Sequence, residues 1–439
     1  MTLQDLLLTP VYLIFIYVFA YSRQNRIQDK SIRGYYLPAL HVKIIGAIGL
    51  GLVYQFYYRG GDTFNFFNDS LHIWEAFKES PLIAFSIIFG PAQHYDPFTY
   101  EYTRKIYYFI DPGTFNVIRV AGFLNLFTFA TYTVDAVFFA LVSFTGVWAM
   151  YLTFIDNFPE QKRQLAFATF FVPSVFFWGS GLMKDSLCLG ALGWLFFSFH
   201  QIFFKRKNWL TNGLILITSG SVLIAIKIYI LICFAPALSV WLFLQYRANI
   251  RSRFIRTISL PIFAIASLPL GLYAINKIAE ENPRYNLDNV AATAKESSEW
   301  LKYVAEREGG SRYDLGEFDG TLGSMLVKFP QAVWLSLYRP YIFEARNPLM
   351  FLSALESSLL LLLTLRIVFS GNLFKVPQIW IEHPLLLMGF VFSVFFAFSI
   401  AMAAGNFGSL VRYKIPFIPF FMTVLYVTRY KINKSTRLF

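Results

Sequence analysis

The chain has 439 residues, 56% of them hydrophobic and only 15% charged, with a mean hydropathy of +0.51. A soluble chain of this length could not cover its surface with so few charges, and several apolar runs reach the roughly 20 residues that span a bilayer. The net charge of +12 does not point to nucleic acid. The basic residues come in short clusters between apolar runs, the pattern of loops that face anionic lipid.

In chain order, the runs predict an all-α polytopic membrane protein, a single integral membrane domain over 1–439. About eleven crossings are expected, near 4–21, 41–57, 134–155, 164–180, 186–204, 209–226, 228–246, 257–277, 349–370, 381–404 and 415–428. The first run has no basic residues before it and no small-residue cleavage site after it, so it reads as a retained helix and not a signal peptide. Cys188 and Cys233 lie inside apolar runs and read as small buried hydrophobes. The many Phe, Tyr and Trp suit helix packing and interfacial belts.

Arg23, Arg26, Lys30 and Arg33 follow the first run. Lys162 and Arg163 precede the fourth, and Lys205, Arg206 and Lys207 follow the fifth. Arg247, Arg251, Arg253 and Arg256 follow the seventh, and Arg429, Lys431, Lys434 and Arg437 follow the last. One alternation puts all of these on one side. The positive-inside rule makes that side the cytoplasm, with the carboxyl terminus inside.

Two long segments then fall outside. The first, 58–133, carries Gly60-Gly61-Asp62, an amphipathic stretch from Phe64 to Phe77, and short apolar runs near 81–90 and 115–131 that suit interfacial or re-entrant helices. The second, 278–348, opens with a polar helix over 289–307 that Gly309-Gly310 should end. A loop from Arg312 to Gly323 follows, either a lid or a connector.

Ionised groups survive in or beside lipid only where they pair or face water. Asp62, just past the second run and behind two glycines, is either a helix-capping loop residue or a carboxylate for chemistry at the membrane surface. Lys184-Asp185 opens the fifth run, where the two can neutralise each other. Lys227 joins the sixth and seventh runs with almost no loop, and must snorkel or meet an anion. Arg339, Glu344 and Arg346 precede the ninth run, and Arg412, Tyr413 and Lys414 open the last. Arginine binds phosphate through a planar fork and lysine as a point charge, so these cations suit an anionic head group. No nucleotide-type glycine loop or zinc motif is present, the five histidines are scattered, and no metal site or cofactor is expected.

Three stretches carry a resemblance: Gly61-Asp62-Thr63, Phe177-Trp178-Gly179-Ser180-Gly181-Leu182-Met183-Lys184-Asp185, and Arg412-Tyr413-Lys414-Ile415-Pro416-Phe417-Ile418-Pro419. They resemble integral-membrane glycosyltransferases of the GT-C superfamily and, more loosely, exopolysaccharide polymerase-like proteins. The resemblance implies sugar transfer from a polyprenyl-phosphate donor to a glycan or lipid-linked acceptor outside a bacterial inner membrane. It gives Asp62 the role of general base, Lys184, Lys227, Arg339 and Arg412 that of holding the donor phosphate, and Asp185, Glu344, Arg346 and Tyr413 supporting roles. The competing expectation is a carrier or flippase for a lipid-linked or anionic solute, built on the same cations. Membrane lipids are partners under either reading, and nucleic acid under neither.

Overall fold

The computed structural model describes residues 2–281, 286, 289–307 and 310–436. Gly309 and Arg437, named above, lie outside them. Every regular element among the described residues is helical; the one β-type contact is an isolated bridge between Arg312 and Asn406. Seven helices among these residues are long and apolar enough to cross a membrane, or eight if a broken pair near the end counts as one, and so the expected eleven are not all single helices. The chain forms two compact units, 1–229 and 230–439, described in turn.

Unit one begins with α1 (Leu3–Asn25) and α2 (Lys30–Leu52), which runs into a short π-helical turn, Val53–Tyr57. Four helices follow: α3 (Asp62–Glu79), α4 (Pro81–Phe89), α5 (Tyr100–Thr103) and α6 (Pro112–Thr128). Then come α7 (Tyr132–Asn157), α8 (Lys162–Phe170), α9 (Pro173–Trp178), α10 (Lys184–His200) and α11 (Trp209–Arg247). Polar contacts sort the termini of these helices into two ends. At one end Lys162 meets Asp29 at 2.7 Å, and Lys205 meets Asp156 at 2.7 Å. The clusters from Arg23 to Arg33 and from Lys205 to Lys207 belong to this basic end. At the opposite end Thr63 shares a hydrogen bond with Tyr132 at 2.9 Å, and Asp5 accepts from the Thr133 amide at 2.8 Å.

Both ends of α6 are fastened at this opposite end. Asn116 donates to the Ala225 carbonyl at 3.1 Å, and Thr128 to Asp135 at 2.6 Å. The run 115–131 therefore lies along this face and does not pass between the ends. α7 and α10 both run from the opposite end to the basic end, so the chain between them must return. That return, expected as one helix over 164–180, is broken: α8 stops at Phe170, α9 starts with Pro173, and a glycine-rich turn leads into Lys184. Proline removes an amide donor and clashes with a continuing helix, which accounts for the break.

A broken helix strands carbonyls, and lipid offers nothing to satisfy them. Lys43, 1% exposed in the middle of α2, supplies the donors. Its Nζ reaches the Val175 carbonyl at 3.1 Å, the Gly179 carbonyl at 2.8 Å and Ser143 Oγ at 3.0 Å, while Ser143 itself donates to Gly179 at 2.6 Å. The three ammonium hydrogens thus match three acceptors. Beside this turn α7 and α10 pack closely through glycines. A Cβ at Gly146 would come within 1.9 Å of the Gly190 carbonyl, and one at Gly193 within 2.0 Å of the Gly146 carbonyl. Small residues at such seams let helices approach where lipid gives no hydrophobic drive.

Unit two holds the last part of α11, α12 (Arg253–Glu281), α13 (Val290–Arg307), α14 (Leu322–Val327) and α15 (Phe329–Tyr338), then α16 (Pro348–Val368), α17 (Val376–Glu382), α18 (Pro384–Ala404), α19 (Phe407–Tyr413) and α20 (Ile418–Thr436). The polar helix expected over 289–307 is α13. The loop after it is tied down at its start: the Tyr313 amide donates to Gly405 at 3.3 Å, the Tyr313 hydroxyl donates to the Ala401 carbonyl at 2.7 Å, and the Phe407 amide donates to Ser311 at 3.0 Å. α15 and the chain after it form a re-entrant excursion. The Arg339 carbonyl meets Ser357, nine residues into α16 or about 13 Å from its start, before the chain returns to Pro348. α19 and α20 bend by 68° across the break that holds Pro416. Here Lys414, fully buried, donates to Ser357 at 2.9 Å and to the Arg339 carbonyl at 3.3 Å.

Lys43→Met should strand the Val175 and Gly179 carbonyls at a cost of about 1–3 kcal/mol for each buried group left unsatisfied. The expected result is a thermal midpoint of the purified protein lowered by several degrees, with Ser143→Ala milder. An unchanged midpoint for Lys43→Met would show that the turn does not depend on this lysine.

Candidate functional site

In unit one the candidate groups gather at the end opposite the basic clusters. The second apolar helix leaves through its π-turn, and Arg59, Gly60 and Gly61 all take positive φ (56°, 141° and 119°). A side chain at Gly61 would also strike the Tyr54 ring, its Cβ at 2.7 Å. This turn reverses the chain and sets Asp62 in the first turn of α3, where the helix dipole favours negative charge. Asp62 is half-buried. Its charge acts on the Tyr108 hydroxyl, which Asn65 also hydrogen-bonds. Burial foremost, with Asp62 contributing, pushes the Tyr108 hydroxyl above its ordinary value despite the Asn65 bond.

Asp69, one of the two acids nearest in sequence, has a different task. It is buried and accepts the Tyr108 amide at 3.0 Å, so it anchors the loop that carries Tyr108. Burial raises its carboxyl above the ordinary value, against the Tyr108 and Tyr107 amides that lower it.

Lys184 and Asp185 each take a partner from another element. Lys184 pairs with Asp111 at 3.5 Å, and Asp185 pairs with Lys227 at 2.5 Å. Adjacent residues at the start of a helix point in different directions, so each finds a partner from another element. Burial alone would raise the Asp111 carboxyl, but Thr114 and the Lys184 ammonium together hold it below its ordinary value. The Lys227–Asp185 pair is enclosed, the two side chains 8% and 3% exposed, whereas Lys184 and Asp111 are 21% and 49% exposed.

Lys227 is where α11 breaks, with φ −145° and ψ 72°. The helical stretch before it, 209–226, is 18 residues or about 27 Å, one bilayer thickness. The break therefore suits a membrane surface, not the midplane. The carbonyl freed at Ala225 takes the Asn116 amide.

In unit two Arg339 turns its fork to Glu344. Its Nε lies 3.1 Å from both carboxylate oxygens, and Nη2 also bonds Oε1. The Tyr341 amide donates to Glu344 at 2.8 Å. Burial would raise the Glu344 carboxyl, yet Arg339 and that amide hold it below its ordinary value. Arg339 also lies over the Phe407 ring at 5.1 Å. Arg412 and Tyr413, at the end of α19, are half-buried and Arg346 is exposed. Glu356, buried beside Ser357 on α16, acts electrostatically on Lys414.

Asp62, Lys184, Asp185 and Lys227 thus belong to unit one, and Arg339, Glu344, Arg346, Arg412 and Tyr413 to unit two. Among the described residues no group of three or more His, Cys, Asp or Glu side chains is arranged to hold a metal ion. Sequence reasoning passed over Asp111, Tyr108 and Lys43. A lysine inside an apolar run was itself a signal for Lys43, since such residues need a stated partner. Asp111 and Tyr108 gave no comparable signal.

Breaking a buried ion pair by removing one partner strands the other and costs about 3–5 kcal/mol. Lys227→Met and Asp185→Leu should each destabilise unit one on that scale, and the double substitution should cost well under the sum, measured by denaturation in detergent. Additive losses would mean that the two side chains are not energetically coupled. No protein-family model, curated protein or solved structure matches this chain.

Proposed function

We propose that this protein is an integral-membrane glycosyltransferase of the GT-C kind. It moves a sugar, with inversion, from a polyprenyl-phosphate donor to a glycan or lipid-linked acceptor on the extracytoplasmic side, in the synthesis of cell-surface polysaccharide or glycoconjugate. The single observation behind the reading is Asp62, half-buried in the first turn of a helix directly after a membrane-length helix, at the same end of its unit as Lys184 and Lys227. The end rich in arginine and lysine faces the cytoplasm of a bacterial inner membrane, as does the carboxyl terminus. Counting the broken return through α8 and α9, both parts of α11, α12 and the bent pair α19–α20, the path makes about eleven crossings.

In this reading Asp62 takes the proton of the acceptor hydroxyl, whose oxygen attacks the anomeric carbon. The bond from that carbon to the phosphate oxygen breaks, and polyprenyl phosphate leaves. Cations offset the charge that gathers on the leaving oxygen. Within unit one Lys184 suits this best, because its contact with Asp111 is long and partly exposed and can be exchanged for a phosphate. Lys227, enclosed with Asp185, acts by positioning. Arg412 is the guanidinium candidate of unit two, and Arg339, whose fork is held by Glu344, acts by positioning.

The carrier reading has one observation in its favour, the interrupted helices, which transporters also use. Purified protein in vesicles with labelled lipid-linked sugars separates the two: a transferase forms a glycosidic bond, and a carrier moves the solute unchanged.

Asp62→Asn keeps size and polarity but removes the base, so turnover should fall by about 100- to 10,000-fold with an unaltered thermal midpoint. Near-normal product would reduce Asp62 to a loop residue. Asp69→Asn is not a neutral control, since it loosens the Tyr108 loop. Orientation is checked in the same cells. A cysteine at the exposed position Asn65 should react with an impermeant thiol reagent from outside, and one at Lys207 should not. Labelling at position 207 would reverse the topology and exclude extracytoplasmic transfer at Asp62.

A further inference from the structure

Unit two contains a pocket of about 250 Å³ lined by Ser311, Arg312, Phe343, Glu344, Arg346 and Phe407. Its base is fixed: the Phe407 amide bonds the Ser311 carbonyl at 3.0 Å, and Arg312 bridges to Asn406. Its charges do not cancel internally. Glu344 is already held by the Arg339 fork and the Tyr341 amide. Arg312 pairs with Glu306, outside the pocket. That leaves Arg346 exposed, and among the described residues it has no carboxylate partner. Ser311 Oγ is buried and has no hydrogen-bond partner, which is costly for a hydroxyl unless something else fills that role. Phe343, 85% exposed, and Phe407 add an aromatic wall.

We infer that this pocket binds one anionic sugar residue, a hexuronic acid or a ring of like charge. Each feature has a matching group on such a ligand. The Arg346 fork takes the carboxylate as a bidentate pair, and Ser311 takes a ring hydroxyl. The apolar face of the ring lies against Phe343 and Phe407. The volume holds a single ring, and a few polar groups in an apolar-walled cleft are what fix a small ligand. Arg346 then serves sugar recognition and not the donor phosphate. That the sugar is the acceptor's terminal residue rests on the transferase reading; the binding itself does not.

The test is titration of the full chain in lipid nanodiscs with sodium D-glucuronate, D-glucose and inorganic phosphate, followed by saturation-transfer NMR with no donor present. Glucuronate should bind saturably and about tenfold more tightly than glucose, the effect of one charge-assisted hydrogen bond. Arg346→Gln should lose that preference, Arg346→Lys should keep part of it, and Ser311→Ala should weaken glucuronate less. Arg346 is exposed, so its two variants should fold with an unchanged thermal midpoint. Equal binding of glucose and glucuronate, or glucuronate binding that ignores Arg346→Gln, overturns the inference. Phosphate binding that depends on Arg346 without saturable glucuronate binding also overturns it, in favour of a free-anion site. Intact glucuronate binding beside a failed transfer assay removes the transferase reading and leaves the pocket standing.

Discussion

A backbone carbonyl buried away from water must find a donor, and in a chain this apolar the donor must come from the protein. The architecture of each unit turns on that constraint. In unit one the return between α7 and α10 is interrupted, and the freed carbonyls of Val175 and Gly179 converge on the ammonium of Lys43. In unit two the re-entrant turn at Arg339 and the break before α20 share Lys414, which reaches the Arg339 carbonyl and Ser357. A lysine suits the task because its three donors sit on a flexible stem and can serve carbonyls that face different ways. The interruptions are thus tolerated as packed, hydrogen-bonded structure. They put glycine-rich turns and a helix amino terminus close to the groups that bear charge.

Charge is handled by the same logic of partnership, but with graded exposure. The enclosed pair Lys227–Asp185 repays its desolvation only through close geometry, and so it fixes where α11 breaks. The looser contact Lys184–Asp111 lies nearer water and constrains less. Arg339 is committed to Glu344 in a forked arrangement, which holds the re-entrant turn and uses up the Glu344 carboxylate. One consequence is that neighbouring residues of like type differ in what they can still bind. Lys184 can exchange its partner more readily than Lys227, and Arg346 stands apart from Arg339.

The face that carries Asp62 is assembled from the short helices between α2 and α7. α6 is fastened at both ends, α3 begins at the reversal through Gly60 and Gly61, and the loop bearing Tyr107 and Tyr108 hangs from Asp69. Exposed Tyr57, Phe89, Tyr107 and Phe127 border this layer, as aromatic residues do at membrane–water interfaces. In the proposed orientation a carboxylate in such a setting is within reach of water and of lipid head groups together. That is the physical basis for reading it as a site of chemistry on a lipid-linked substrate.

Composition and the spacing of apolar runs determined the helical class, the approximate positions of the long helices and the grouping of basic residues at one end of unit one, because burial in lipid demands length and excludes charge over whole segments. The polar helix α13 was legible for a like local reason, since amphipathic period is a property of short stretches. Pairings across the chain were not legible. Nothing in the local sequence links Lys184 to Asp111 over Asp185, Asp69 to the Tyr108 amide, or Lys43 to a turn more than a hundred residues away. The run 164–180 was apolar enough to read as one helix. Pro173 interrupts it, and the packed structure shows how the break is tolerated, with Lys43 receiving the carbonyls it frees. Likewise Arg339 and Glu344 were visible as a cation and an acid near each other. That the arginine's fork is spent on that acid, leaving Arg346 to face an open pocket, depends on the direction each side chain takes from a re-entrant turn, which tertiary contacts alone fix.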